Sequence, residues 1–292
     1  MGCMIIAEMG LNHDGDLSKA LKLCDAAKSA GADVVKTQTF IPELAIHPKS
    51  KDFPTLFRLA LNFPTTLKIA RHCEDINIEF MSTPDDIESL KFLVEDCGVK
   101  RIKLGSGSLL YEPLVDAAFD TGLPVLLSTG MASLVEIALV LKRQWNRCYR
   151  GKADPAKHRP LNHVTAMHCV SLYPCPPHLA NVRAIENLRD DLNSWTSDRY
   201  EVGYSDHTIG KYAALTAVTL GAAVIEKHFT LDDEDEGPDH HMSMVPGLFS
   251  LLVEKVRMIE QILGSGRKEP SPEELAMIPR IRKDAAGFQP GL

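Results

Sequence analysis

The sequence predicts an α/β fold in which eight parallel strands close into a barrel, and three observations carry that expectation. Short β-branched runs alternate with helically patterned stretches along nearly the whole chain, and there are eight of them. No GxGxxG follows the first run, which counts against the rival doubly wound open sheet. Polar residues able to carry chemistry follow every run, at the strand end where such a barrel gathers its active site. A single-domain TIM barrel of ordinary size is the architecture that satisfies all three.

The strand runs, in order, are Met4–Ala7, Val34–Lys36, Glu79–Met81, Arg101–Leu104, Val125–Leu127, Val164–Met167, Glu201–Gly203 and Val224–Lys227. Between them, Leu17–Ala30 sets Leu17, Ala20, Leu21, Cys24, Ala27 and Lys28 at helical intervals. Asp16 or Gly15 can open that helix, and Gly31 closes it. Ile87–Cys97, Lys211–Leu220 and Leu248–Leu263 read the same way. Two connections are long. Ile41–Pro64, with Phe53, Phe57 and Phe63, follows the second strand; it either folds over the pocket or packs as a short helix. Trp145–His163, with Arg147, Arg150, Lys152, Lys157, His158 and Arg159, precedes the sixth strand and reads as a solvated insertion or subunit contact on the opposite face. The barrel is expected over 1–265, with 266–292 as a C-terminal extension.

Composition narrows the function classes. The 292 residues carry 32 Lys+Arg against 39 Asp+Glu, a net charge of -7, with 45% hydrophobic and 24% charged residues. That excludes a disordered chain, a collagen and a coiled coil. A mildly acidic chain without a basic block is a poor partner for nucleic acid. No apolar run is long enough for a membrane helix, and the N-terminus does not read as a signal peptide. The seven cysteines are scattered, odd in number and free of CxxC, which suits reduced thiols in a cytoplasmic protein.

Several strand ends invite specific chemistry. Lys36 and Lys103 follow apolar strands directly, where an ammonium must meet an anion or lose its charge. With Ser106, Ser128 and Ser205 they can surround a phosphate and a carboxylate, and the glycines of Gly105-Ser106-Gly107 let backbone N–H groups approach phosphate oxygens. His207 and His228 end the seventh and eighth strands, neighbours in a closed barrel, and as a pair favour one shared metal ion. Glu8 on the first strand neighbours the eighth, as a water-mediated ligand or a proton-transfer group. Asp239, after Gly237-Pro238, is a candidate substrate contact, whereas the charge run Asp232–Glu236 reads as solvated surface.

Across residues 4–283 the motifs IIAEMGLNHDGD, VVKTQTF, MSTPDD, KLGSGS, LLSTGM, HCVSLYPCPP, VGYSDHTIG, VIEKHFTLD and GPDH resemble, in order, the N-acetylneuraminate (sialic acid) synthases, also called nonulosonic acid synthases. The resemblance implies a TIM barrel that condenses phosphoenolpyruvate with an N-acylated hexosamine such as N-acetylmannosamine, releasing phosphate and forming a nine-carbon 2-keto sugar acid. It implies a divalent ion, Mn²⁺ or Mg²⁺, on His207 and His228. It assigns Lys36, Thr83, Lys103, Ser106, Ser128, Ser171 and Ser205 to phosphoenolpyruvate, and Glu8, Gln38, Tyr173 and Asp239 to the sugar. Glu8, Lys36, Lys103 and His228 form the catalytic set. A homo-oligomer is also expected.

Three departures from the family pattern stand out. Ser108 occupies a position, two after the serine of KxGSG, where the family commonly has an acid. Ser171 stands where an asparagine is frequent, and serine there also occurs in relatives that make other nonulosonic acids. Family members usually continue into a small antifreeze-like domain, which is expected to be absent here, since the chain ends at Leu292. Two other readings remain: a phosphoenolpyruvate- or sugar-binding barrel with impaired catalysis, and a related 3-deoxy sugar acid synthase, which would not share the YSDHT and EKHF blocks.

Overall fold

Side chains alternate across a strand, so each strand of a closed barrel presents one set inward and the other towards the surrounding helices. In the computed structural model, which describes residues 2–149, 163–195 and 200–289, the strands are β1 (Met4–Gly10), β2 (Val34–Thr39), β3 (Glu79–Pro84), β4 (Ile102–Leu104), β5 (Val125–Ser128), β6 (Val164–Cys169), β7 (Glu201–Asp206) and β8 (Val224–His228). They form one parallel sheet in the order β3-β2-β1-β8-β7-β6-β5-β4. The first strand meets the last, with Met4 opposite Val224 and Glu8 opposite His228. Strands β3 and β4 are neighbours without a shared ladder among the described residues, so the barrel closes at a seam.

The helices are α1 (Leu17–Ser29), α2 (Pro42–Ala45), α3 (Phe53–Leu59), α4 (Phe63–Asp75), α5 (Ile87–Glu95), α6 (Glu112–Asp120), α7 (Leu134–Tyr149), α8 (Ala184–Trp195), α9 (Tyr212–Thr219), α10 (Pro246–Leu263), α11 (Pro272–Leu275) and α12 (Ile278–Ile281). Their starts carry ordinary capping chemistry. The Asp16 carboxylate accepts from the Ser18 and Lys19 amides at α1, Asn62 from Thr65 at α4, and Asp86 from Ser89 at α5. Helix α1 buries Ala20, Leu23, Cys24 and Ala27 in the same core as Ile5, Ala7 and Met9, the outward-facing residues of β1.

The inward set begins with an apolar floor. Ile6, Val34, Met81, Leu126, Met167 and Val224 pack together, none more than 3% exposed. Burial of each such side chain contributes roughly 1.5–3 kcal/mol. Gly203 on β7 completes this floor by omission. A Cβ there would stand 2.3 Å from the Met167 sulfur, so only glycine leaves room for that side chain.

The segment Ile41–Pro64 takes the packed-helix alternative. It forms α2 and α3, and Leu59 packs with Phe40 and Leu11 in a small satellite core. The insertion expected at Trp145–His163 starts later than its polarity suggests, because Trp145–Tyr149 is the last turn of α7. Arg147 there pairs with Asp116 at 2.9 Å and Asp120 at 2.7 Å across to α6. Arg150, Lys152, Lys157, His158 and Arg159 lie outside the described residues. The six cysteines described are free. Among the described residues no helix is long and apolar enough to cross a membrane. The chain divides into two compact units, Met1–Glu260 and Gln261–Leu292. The second contains the short helices α11, capped by Ser271, and α12.

Candidate active site

Two residues beyond the floor, the inward positions turn polar. Glu8 follows Ile6, Lys36 follows Val34, Thr83 follows Met81, Ser128 follows Leu126, and Glu226 follows Val224. These side chains line a cavity of about 420 Å³ at the C-terminal ends of the strands. That volume is within the usual range for small-molecule sites. A larger hollow, about 550 Å³, opens at the other end of β3 beside Leu67, Arg71, Glu79 and Lys100. Size does not identify the site. The smaller cavity holds the convergent charged groups, on the face where barrels of this type work.

Most of the residues singled out from sequence meet here. Glu8, Lys36, Gln38, Thr83, Lys103, Ser106, Ser128, Ser171, Tyr173, Ser205, His207 and His228 all line the cavity. Asp239 does not, but its Oδ2 lies 3.8 Å from His228 Nδ1. Gly10 explains how these groups approach. Its φ of +48° is left-handed, and a Cβ on it would stand 2.8 Å from Asp239 Oδ2, 3.4 Å from Glu8 and 3.5 Å from the His228 ring.

The lysines are paired. Lys36 Nζ lies 2.7 Å from Glu8, 3.7 Å from Glu226 and 3.0 Å from the Thr83 hydroxyl. Lys103 Nζ donates to Glu226 at 3.1 Å, and the Ser205 hydroxyl donates to the same carboxylate at 2.9 Å. The two carboxyls settle differently. Burial opposes ionisation of Glu226, yet Lys103 and Lys36 outweigh it and hold that group down at about 2. Burial pushes Glu8 up to about 7; Lys36 pulls it down and the Glu226 charge adds to the rise. One carboxyl is thus a fixed anion, and the other is poised to gain or lose a proton near neutrality.

The two histidines suit a metal ion. Burial lowers both from the ordinary imidazole value, which favours the neutral, ligating form. His207 Nδ1 lies 2.7 Å from the Val170 carbonyl, so it carries the proton and leaves Nε2 a lone pair. His228 Nδ1 is buried without a hydrogen-bond partner. The ring centres are 5.7 Å apart, with Tyr173 against His207 at 4.2 Å. The donor set fits a divalent ion that accepts nitrogen and oxygen ligands. Asp14, Asp235 and His240 form a second cluster of potential ligands. The Lys19 ammonium already binds both carboxylates there, 2.6 Å from Asp235, and so offsets one of their two negative charges.

Not every polar residue at a strand end faces inward. Asn12 holds the Phe229 carbonyl and Ser243, Thr39 bonds Ser82, and His168 meets the Ala180 carbonyl. Lys227, fully buried, pairs with Asp206 at 3.0 Å. Each of the eight strand ends sends at least one polar group into the cavity, and alternation sends its neighbours outward. The same alternation would have selected Glu226 over Lys227, and Asp85, two after Thr83. Both Asp85 and Glu226 line the cavity, and neither was given a role from sequence.

Residues 23–268 match the NeuB family. The chain is 39% identical to the uncharacterized protein MJ1065 of Methanocaldococcus jannaschii, over 96% of this chain and 77% of that protein. It is 37% identical to the N,N'-diacetyllegionaminic acid synthase of Campylobacter jejuni, over 96% and 83% respectively. Among solved structures, the N-acetylneuraminic acid (sialic acid) synthetase of Leptospira borgpetersenii in complex with citrate superposes with a TM-score of 0.84 at 33% identity, covering 95% of this chain and 90% of that one.

Proposed function

The chain belongs to the NeuB family, and on that premise we propose that it condenses phosphoenolpyruvate with an open-chain N-acylated hexosamine, giving a nonulosonic acid and inorganic phosphate. The observation that carries the reading is the pairing, in one cavity, of two buried lysines with a neutral histidine pair. The lysines suit a small, highly charged anion, and the histidines suit a carbonyl-polarising ion.

In this reading Lys36 and Lys103 take the phosphate and carboxylate of phosphoenolpyruvate, exchanging part of their pairing with Glu8 and Glu226 for the substrate. Thr83, Ser106, Ser128, Ser171 and Ser205 supply hydroxyls around it. The Gly130 amide already donates to Ser106 at 3.0 Å, which fixes that hydroxyl. Gln38, Tyr173 and Asp239 meet the sugar. C3 of phosphoenolpyruvate attacks the sugar aldehyde carbon, water adds at C2, and the C2–O bond to phosphate breaks. Mn²⁺ or Mg²⁺ on His207 and His228 would supply Lewis acidity at the aldehyde oxygen. Glu8 orients the water or a sugar hydroxyl and moves a proton there, consistent with its raised pKa.

The similarity to a diacetyllegionaminic acid synthase and Ser171 at the frequent asparagine position both favour a diacetylated 6-deoxyhexosamine over N-acetylmannosamine. Phosphate release from phosphoenolpyruvate and Mn²⁺, with each sugar in turn, tests the reading. Release with either supports synthase chemistry and sorts the sugars. Folded protein that binds phosphoenolpyruvate but is silent with both would sink the proposal in favour of a binding barrel.

A further inference from the structure

Ser108 closes the short 3-10 turn Ser106–Ser108 after β4. Its amide donates to the Gly105 carbonyl at 3.0 Å and its own carbonyl accepts from Tyr111 at 3.0 Å. Gly105, Ser106 and Gly107 of that turn line the cavity, and Ser108 does not. No acid therefore enters the cavity from this side.

One does enter from the neighbouring strand. Asp85 directly follows β3, two residues past Thr83, and its amide donates to the Thr39 carbonyl at 3.2 Å. Asp85 lines the cavity. The adjacent Asp86 is fully committed. It caps α5 through the Ser89 amide at 2.7 Å, accepts the Ser89 hydroxyl at 2.8 Å and binds the Ile41 amide at 2.9 Å. Among the described residues the Asp85 carboxyl makes no hydrogen bond and no ion pair within 4 Å, whereas Glu8 and Glu226 are each bound to a lysine. Lys36 from β2 and Lys103 from β4 act on it through space, with the Asp86 charge beside it.

We propose that Asp85 is a second proton-transfer carboxyl of this site, acting at C2 while Glu8 orients the water or serves the sugar hydroxyl, and standing in from the β3 side for the acid absent at position 108. The inference rests on the condensation proposed above. As water adds to C2, its O–H bond breaks and the Asp85 carboxylate takes the proton. As the C2–O bond to phosphate then breaks, its electrons stay with the bridging oxygen and Asp85 returns the proton to that oxygen. The water's second proton ends on the former aldehyde oxygen, so the step balances without a further reactant. Burial raises Asp85 to about 6, against the pull of Lys36 and Lys103, which suits a group that must both take and return a proton.

The test compares wild type, Asp85→Asn, Asp85→Ala and the double variant D85N/S108E in metal-loaded protein, by phosphate release. Asp85→Asn keeps size and shape, and its melting temperature checks the fold. The expected result is a kcat loss of about 10²-fold or more in Asp85→Asn, with KM for phosphoenolpyruvate within about threefold. The double variant should regain at least about tenfold, and formate should partly restore Asp85→Ala. Turnover by Asp85→Asn within about threefold of wild type overturns this role and leaves the proposed function standing. A loss confined to KM makes Asp85 a binding group and overturns it equally. A wild type silent with every sugar overturns the condensation itself, and this role with it.

Discussion

Ile6 and Glu8 sit on one strand, point the same way and lie one pleat apart, yet the two levels of barrel they represent are built on opposite rules. At the lower level Ile6, Val34, Met81, Leu126, Met167 and Val224 fill space against one another. Nothing there titrates and nothing needs a partner. At the upper level Glu8, Lys36, Lys103 and Glu226 are almost as buried, each at most 4% exposed, but every one is an ionisable group. Desolvation there costs several kcal/mol per charge, recovered only in part by the pairs they form. The lower level gains from being closed. The upper level holds ions in readiness for partners that bring their own charge, so a fold can keep the first fixed while the second is tuned.

The sharpest way to break this contrast is at the histidines. His207→Ala or His228→Ala should lower metal-dependent turnover by about 10³-fold or more, with a melting temperature close to wild type. EDTA should abolish phosphate release and Mn²⁺ restore it. Activity kept in both variants would remove the metal assignment. The converse test is in the floor. Met167→Ala should destabilise the protein by about 2–5 kcal/mol in urea titration while the folded fraction keeps a near-normal kcat. A variant that is stable but inactive would show that the levels are not separable. Lys103→Ala should weaken phosphoenolpyruvate binding by roughly tenfold to a hundredfold, as expected for a charged hydrogen bond worth about 1.5–3 kcal/mol, with sugar KM little changed. Calorimetry with phosphoenolpyruvate alone reads this directly, and unchanged affinity would mean the lysine faces another group.

The smallest effect concerns pH. Asp85 is pushed up by burial from 3.8 to about 6. Between those values the folded protein retains a proton that the unfolded chain has lost. The Asp85 contribution to stability is therefore greatest below pH 4 and declines as pH rises to about 6. Asp85→Asn should remove that decline, seen as a smaller difference between urea midpoints at pH 4.5 and pH 7. Equal differences in both proteins would contradict it.

Much of this was legible before any coordinates. All eight strands form where β-branched runs alternate with helices, because that pattern reports the outward face of each strand. Their C-terminal limits were less legible. Strand β1 runs on to Gly10, β2 to Thr39 and β7 to Asp206, since backbone ladders continue after the apolar signal has given way to polar residues. Lys36 and Lys103 were conspicuous as cations on buried strands. Glu226 was hidden by its neighbours Lys227 and His228, and only the alternation separates the inward carboxylate from the outward ammonium. Asp85 was harder still. Two adjacent aspartates before a helix read as capping residues, and one of them is; the other is distinguished by what it does not touch.

The apolar floor has a kinetic consequence. A vessel sealed below fills and empties through its mouth alone. Lys36 and Lys103 lie deep, at 2–3% exposure, whereas Tyr173, at 52%, marks the rim. In the proposed reaction the reactant gripped by the lysines must descend before the one met at the rim arrives, and the fragment left on the lysines must climb out last. Steady-state turnover should therefore follow a compulsory queue, in which inorganic phosphate competes with the first reactant but not with the second.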